Sequence, residues 1–187
     1  MTGQIHDGFH YRGRDVSIVE IRNGGWFRPS CLDMEPVAPN TACWRGYHAQ
    51  FALFDSCLVL NALHINLMTK SHRGKRGRTI NGVKPKYTNR NSEWFNNQYE
   101  GIEYRLDYTG SLLLGEGFIR NLYSHGGFQS KWKFERVFEL VFMEGFLLQE
   151  WDRSQEMEQL RNLILDEKFQ LRLKGIGRSL MDDDIPF

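Results

Sequence analysis

Cys43, Arg45, Asp107 and His125 are the side chains from which a small hydrolase or transferase site could be assembled. A cysteine beside an arginine can have a lowered pKa and act as a nucleophile, with His125 or His48 as its base. In most folds a free cysteine at a strand edge is instead a small apolar residue. His125 ends a predicted short helix just before Gly126-Gly127. There an imidazolium is stabilised by exposed carbonyls, and in a site it could move a proton or bind an anion, with Arg120 one turn earlier as companion. Asp107, in the string Asp107-Tyr108-Thr109-Gly110, could bring a carboxylate to the same cleft. Asp and Thr before Gly also organise turns through side-chain-to-backbone hydrogen bonds.

Other chemistry is thinner. Glu135 and Glu139 are four apart on a predicted strand and share a face. Two carboxylates could support glycoside hydrolysis, but a solvated strand face is the much commoner explanation. Trp132 between Lys131 and Lys133 could stack on a base or sugar, or anchor a loop. The six histidines are scattered, the three cysteines lack zinc spacing, and no Gly-Lys-Ser/Thr phosphate loop is present. Neither metal nor cofactor is expected.

The charge pattern is more pointed. The chain is nearly neutral, at +1, yet Lys70 to Arg90 holds eight Lys/Arg and no Asp or Glu among Gly, Asn and Thr. Such a stretch, expected to stay off the core, sets up a local positive field. Arg73, Lys75, Arg76, Arg78, Lys84 and Lys86 could follow a phosphate backbone, with Tyr87, Trp94 and Phe95 as stacking candidates. The alternatives are an acidic protein partner, steered by complementary charge, or a solvated loop guarding a sheet edge.

The elements that must hold these residues are mostly strands. Aromatic content of 13% favours pleated surfaces. Phe9–Tyr11 and Val16–Ile21 flank a hairpin tip at Arg12–Asp15, and Trp44–Phe54 alternates before a turn at Asp55-Ser56. Cys57–Leu67 returns with its apolar parity reversed near Asn61, the signature of a β-bulge. Ile102–Tyr108 and Ser111–Leu114 follow as strands. Glu116–Ser124 has the spacing of a short helix, and Phe134–Phe142 pairs with Phe146–Trp151 across Glu144-Gly145. Asp152 and Gln155 are placed to cap a last helix whose stripe is Met157, Leu160 and Ile164, widened by Leu163. The expectation is one α+β domain over 1–187, mostly antiparallel sheet in hairpins that could close barrel-like, with one short helix and one C-terminal helix. Residues 69–97 form a long basic loop or insertion, and 174–187 a frayed tail.

Three strings, Thr41-Ala42-Cys43-Trp44-Arg45-Gly46-Tyr47, Tyr108-Thr109-Gly110-Ser111-Leu112-Leu113-Leu114 and Phe118-Ile119-Arg120-Asn121-Leu122-Tyr123-Ser124-His125, together resemble a group of small uncharacterised bacterial proteins. The similar region runs from about Arg12 to Arg161. The resemblance implies a bacterial cytoplasmic origin, a similar strand order and a terminal helix, and it carries no reaction. In that group the connection after Leu67 is shorter, so the basic stretch departs from it.

No apolar run approaches the length of a bilayer span, and the N-terminus has no signal-like apolar region. Three unpaired cysteines fit a reduced, cytoplasmic setting without membrane attachment. Function is therefore expected to be a non-catalytic cytoplasmic binding or accessory module that engages nucleic acid, a nucleotide or an acidic protein through the basic loop. The alternatives are a small hydrolase or transferase using the four residues named first, and a subunit of a bacterial defence or immunity complex.

Overall fold

The computed structural model describes residues 2–23, 25–71, 73–88 and 94–173. Among these, nine strands form one sheet: β1 (Gly8–Tyr11), β2 (Arg14–Arg22), β3 (Tyr47–Phe54), β4 (Cys57–Ile65), β5 (Lys86–Tyr87), β6 (Asn97–Arg105), β7 (Gly110–Phe118), β8 (Phe134–Met143) and β9 (Phe146–Asp152). A helix, α1 (Ser154–Leu173), follows. The sequence dictates three hairpins through their turns. Arg12 and Gly13, Asp55 and Ser56, and Glu144 and Gly145 all take positive φ, between 48° and 80°. Two adjacent left-handed residues give the tight turn whose twist matches that of the strands it joins. Gly145 is required for a second reason: a Cβ there would lie 2.1 Å from the Leu106 carbonyl oxygen.

The hairpins join edge to edge in the order β3-β1-β2-β7-β8-β9-β4, and β4 pairs back onto β3 to close a ring. All pairings are antiparallel except β1 with β3. The ring is not a clean barrel, because β4 meets β9 only at Cys57↔Phe146 and then turns its edge to β6, which carries β5 outward as a wing. The parity change at Asn61 is a bulge: Gln50 pairs with Ala62 and Phe51 with Leu60, which leaves Asn61 over. Phe9, Phe51, Leu58, Leu60, Leu63, Ile65, Leu112, Leu114, Leu140 and Phe142 fill the interior. A second cluster of Leu113, Phe134, Val137 and Met157 lies where α1 packs on the sheet.

Four expectations are corrected. Glu116–Ser124 does not make an α-helix: β7 runs on through Phe118, and only Arg120–Leu122 turns, as 3-10. The pairs Glu116↔Arg136 and Phe118↔Phe134 hold this segment in the sheet, so tertiary pairing overrides the local spacing. The strand expected at Ile102–Tyr108 begins at Asn97 and ends at Arg105, with Gly101 and Glu103 at positive φ opposite the Asn61 bulge. Leu163 does not widen the stripe of α1; it is 68% exposed, while Met157 is buried. The basic stretch does touch the core, since Ile80 is 3% exposed and belongs to the main cluster. The tail from Lys174, and the basic-stretch positions 72 and 89–93, lie outside the described residues. No helix among the described residues is long and apolar enough to cross a membrane.

Candidate functional site

The four residues considered as an enzyme site do not converge. Arg45 precedes β3, beside the Tyr47↔Ile65 pair, whereas Asp107 follows Leu106, whose amide donates to Leu58 at the other end of β4. A strand of eight residues separates those ends by roughly 25 Å, far beyond what one reacting centre allows. Cys43 is buried, its thiol donates to the Tyr47 carbonyl at 3.2 Å, and burial pushes it above the ordinary thiol range. A nucleophilic cysteine needs the opposite environment. His125 is exposed and stacks edge-on against Tyr123, with ring centroids 5.0 Å apart. Asp107 lines a separate cleft of about 500 Å³ with Trp26, Arg28, Tyr104 and Arg105.

Arg45 has a structural task. Its guanidinium grips Asp7 through two hydrogen bonds, at 2.6 and 3.0 Å, and lies over the Tyr47 and Phe128 rings. Asp7, 4% exposed, also accepts from the Ala49 amide at 2.9 Å. His6 beside it accepts the Gln129 amide on Nε2, so its proton sits on Nδ1 and is donated to the Ile18 carbonyl. Burial lowers the His6 pKa, consistent with that neutral ring.

Glu139 is not on a solvated face. It is 7% exposed and accepts from Arg153 at 2.9 Å and from Ser111 and Arg22 at 3.0 Å. Burial alone would raise its carboxyl, but bonds from Arg153 and Ser111 and the charge of Arg22 outweigh it and hold it below its usual value. Glu135 is exposed and stays apart from it, so no paired-carboxylate site forms. Trp132 is also engaged, with the Lys133 and Lys168 ammonium groups over its ring.

The basic segment is held by its backbone. Fully buried Asn97 donates to the Lys75 carbonyl at 2.9 Å and accepts the Gly77 amide at 2.7 Å. The Tyr99 hydroxyl donates to the Arg78 carbonyl at 2.6 Å, and a Cβ on Gly77 would sit 2.1 Å from that hydroxyl. Asn81 donates to the Ile102 carbonyl at 2.8 Å, and Lys86–Tyr87 adds β5 to the edge of β6. With main chain and Ile80 occupied, Arg73, Lys75, Arg76, Arg78, Lys84 and Lys86 are all exposed. Arg78 pairs with exposed Asp33, and Arg76 lies over Tyr87. Arg73, Lys75, Lys84 and Lys86 make no ion pair among the described residues. Of the stacking candidates, Trp94 is 51% exposed and Phe95 is buried against His64.

Sequence reading did not foresee the polar face beside this segment. The pairs His48↔His64, His64↔Gln98 and Gln98↔Lys86 set four residues in one row on one side of β3, β4, β6 and β5. With Tyr47 and Ala49 buried inward, this is the outer side. The His48 and His64 rings are 6.3 Å apart. His64 Nε2 hydrogen-bonds Glu100 at 2.6 Å, and His10 Nδ1 hydrogen-bonds Asp15 at 2.9 Å in the same cleft of about 270 Å³. Burial lowers the His48 pKa, and Arg45 and His64 add to that effect; Asp7 and a hydrogen bond to the His6 backbone oppose it. Among the described residues no group of three or more His, Cys, Asp or Glu is arranged to hold a metal ion. The face offers acid–base groups bordered by cations.

Comparison of the chain with protein-family models, with curated proteins and with solved structures returns no match.

Proposed function

We propose that this protein is a binding module for an anionic polymer, a nucleic-acid strand, held along the β5–β6 edge. The observation that carries the reading is the division of labour in the basic segment. Backbone groups of Lys75, Gly77 and Arg78 are fixed by Asn97 and Tyr99, while the cationic side chains stay in solvent. A cationic loop already ordered gives up less conformational freedom on binding than a free one. Three of the cations are arginines, whose planar forks suit phosphate, and exposed Trp94 near the same edge is a platform for an unpaired base.

The test is anisotropy of a labelled single strand at two salt concentrations, for the wild type and for a variant with Arg73, Lys75, Arg76 and Arg78 changed to Ala. If those four cations contact phosphates, raising salt from about 50 to about 200 mM weakens wild-type binding roughly 50-fold, and the variant loses most of that dependence. Affinity indifferent to salt and to the substitutions would remove the reading. Binding confined to acidic proteins would reassign the segment to a protein partner.

A further inference from the structure

The reading above leaves the imidazole cleft unused, and it lies in the same row as Lys86 of the basic segment. Two strand spacings separate Lys86 from His64 and one separates His64 from His48, about 10 and about 5 Å between Cα atoms. We infer that His48 and His64 cleave the strand that the basic segment holds, and that this strand is RNA.

The chemistry follows from the surroundings of each ring. His48 lines the cleft beside His64, and its neutral imidazole carries one N–H and one nitrogen with a free lone pair. Burial lowers the His48 pKa and favours that neutral state. His48 is thereby the general base of the pair. His64 gives its Nε2–H to Glu100, which fixes the ring and leaves Nδ1 as the nitrogen that carries the transferable proton in the step below. Two imidazoles in different environments, 6.3 Å apart, can meet one phosphodiester from both sides.

In the step, His48 takes the proton of a ribose 2′-hydroxyl, and the 2′-oxygen attacks the neighbouring phosphorus. The P–O2′ bond forms and the P–O5′ bond breaks. His64 delivers its proton to the departing 5′-oxygen. The products are a 2′,3′-cyclic phosphate and a 5′-hydroxyl, and atoms and charge balance without a further reactant. The Lys86 ammonium at the end of the row favours the extra negative charge of the five-coordinate phosphorus. A 2′-deoxy strand has no nucleophile and is bound without being cut.

The inference rests on strand binding by the basic segment, and the experiment separates the two. A labelled RNA, its all-deoxy counterpart and the 2′-O-methyl analogue are incubated in chelator with the wild type, His48→Gln and His64→Gln, all purified alike. Binding is read in parallel by anisotropy of the uncleavable analogue. Expected are cyclic-phosphate ends from RNA alone, and about a hundredfold or greater loss in each variant with analogue affinity retained. RNA bound but left whole by the wild type overturns the inference and spares the binding reading. Cleavage equal in wild type and His64→Gln also overturns it. That variant changes a partly exposed side chain and keeps the test decisive if His48→Gln fails to fold. Absence of strand binding removes both.

Discussion

The Arg45 guanidinium donates through both terminal nitrogens to the Asp7 carboxylate, while the Ala49 amide donates to the same carboxylate. The N-terminal segment is thereby fastened to the start of β3, beside His48. Removing one member of a buried pair is far worse than removing both, because it leaves a desolvated charge unpaired. Arg45→Met is expected to lower stability by about 3 to 5 kcal/mol, and Asp7→Asn combined with it to restore part of the loss. Urea unfolding of the single and double variants decides; additive losses would count against the coupling.

Acid should weaken the fold in two stages. Burial holds His6 and His48 below the ordinary imidazole value. The unfolded chain takes up protons at these positions below about pH 6.5 while the folded chain does not, so this stability is complete above that pH and falls as pH drops toward the folded values. Glu20 and Glu139 are held below the ordinary carboxyl value, against the opposing effect of burial. Their contribution is present above that value and is lost as pH falls through the lowered ones. Urea midpoints followed from neutral pH downward should show the first decline well before carboxylates titrate. His6→Gln should flatten it, and a midpoint constant down to about pH 5 would contradict the assignment.

Glu139 ties the start of α1 to the sheet through Arg153 and to β2 through Arg22, and the chain of charges continues from Arg22 to Glu20 and Lys131. Glu139→Gln is expected to cost about 3 kcal/mol and to loosen α1 before the ring. Hydrogen exchange reads this directly: faster exchange in residues 154–164 with the β3–β4 amides unchanged. Uniform acceleration would instead point to global destabilisation.

Ile80 is the apolar plug that seats the basic segment. Ile80→Ala removes no charge yet should destabilise by about 2 to 4 kcal/mol and weaken nucleic-acid binding severalfold. An anisotropy titration with unaltered affinity, in a variant shown by its melt to be destabilised, would mean that seating and binding are independent.

Much of the fold was legible because it is local. Three turn pairs predicted three hairpins, and the parity slip at Asn61 predicted the bulge. Together these nearly fix the facing of His48 and His64. Phe54 opposite Cys57 at the turn, plus one residue left over at Asn61, sets position 48 against 64. Both histidines lay in strands read correctly, and the register step would have found the pair. Asp7 with Arg45, and Glu139 with Arg22 and Arg153, could not be found that way. Each joins segments whose adjacency depends on how the hairpins assemble, which alternation within a strand does not encode. Glu116–Ser124 misled for the same reason, because its helical spacing was outweighed by pairing with β8.

The ring closes through partners remote in sequence: β2 meets β7 with Ser17 opposite Gly115, and β1 meets β3 in parallel. The hairpins can form early and alone, but their assembly must wait for long chain segments to find one another. This protein should therefore fold on the slow, millisecond-to-second side of small domains. Until closure, the Leu112–Leu114 strand lies bare to neighbouring chains, so crowding during synthesis is when association into aggregates threatens most.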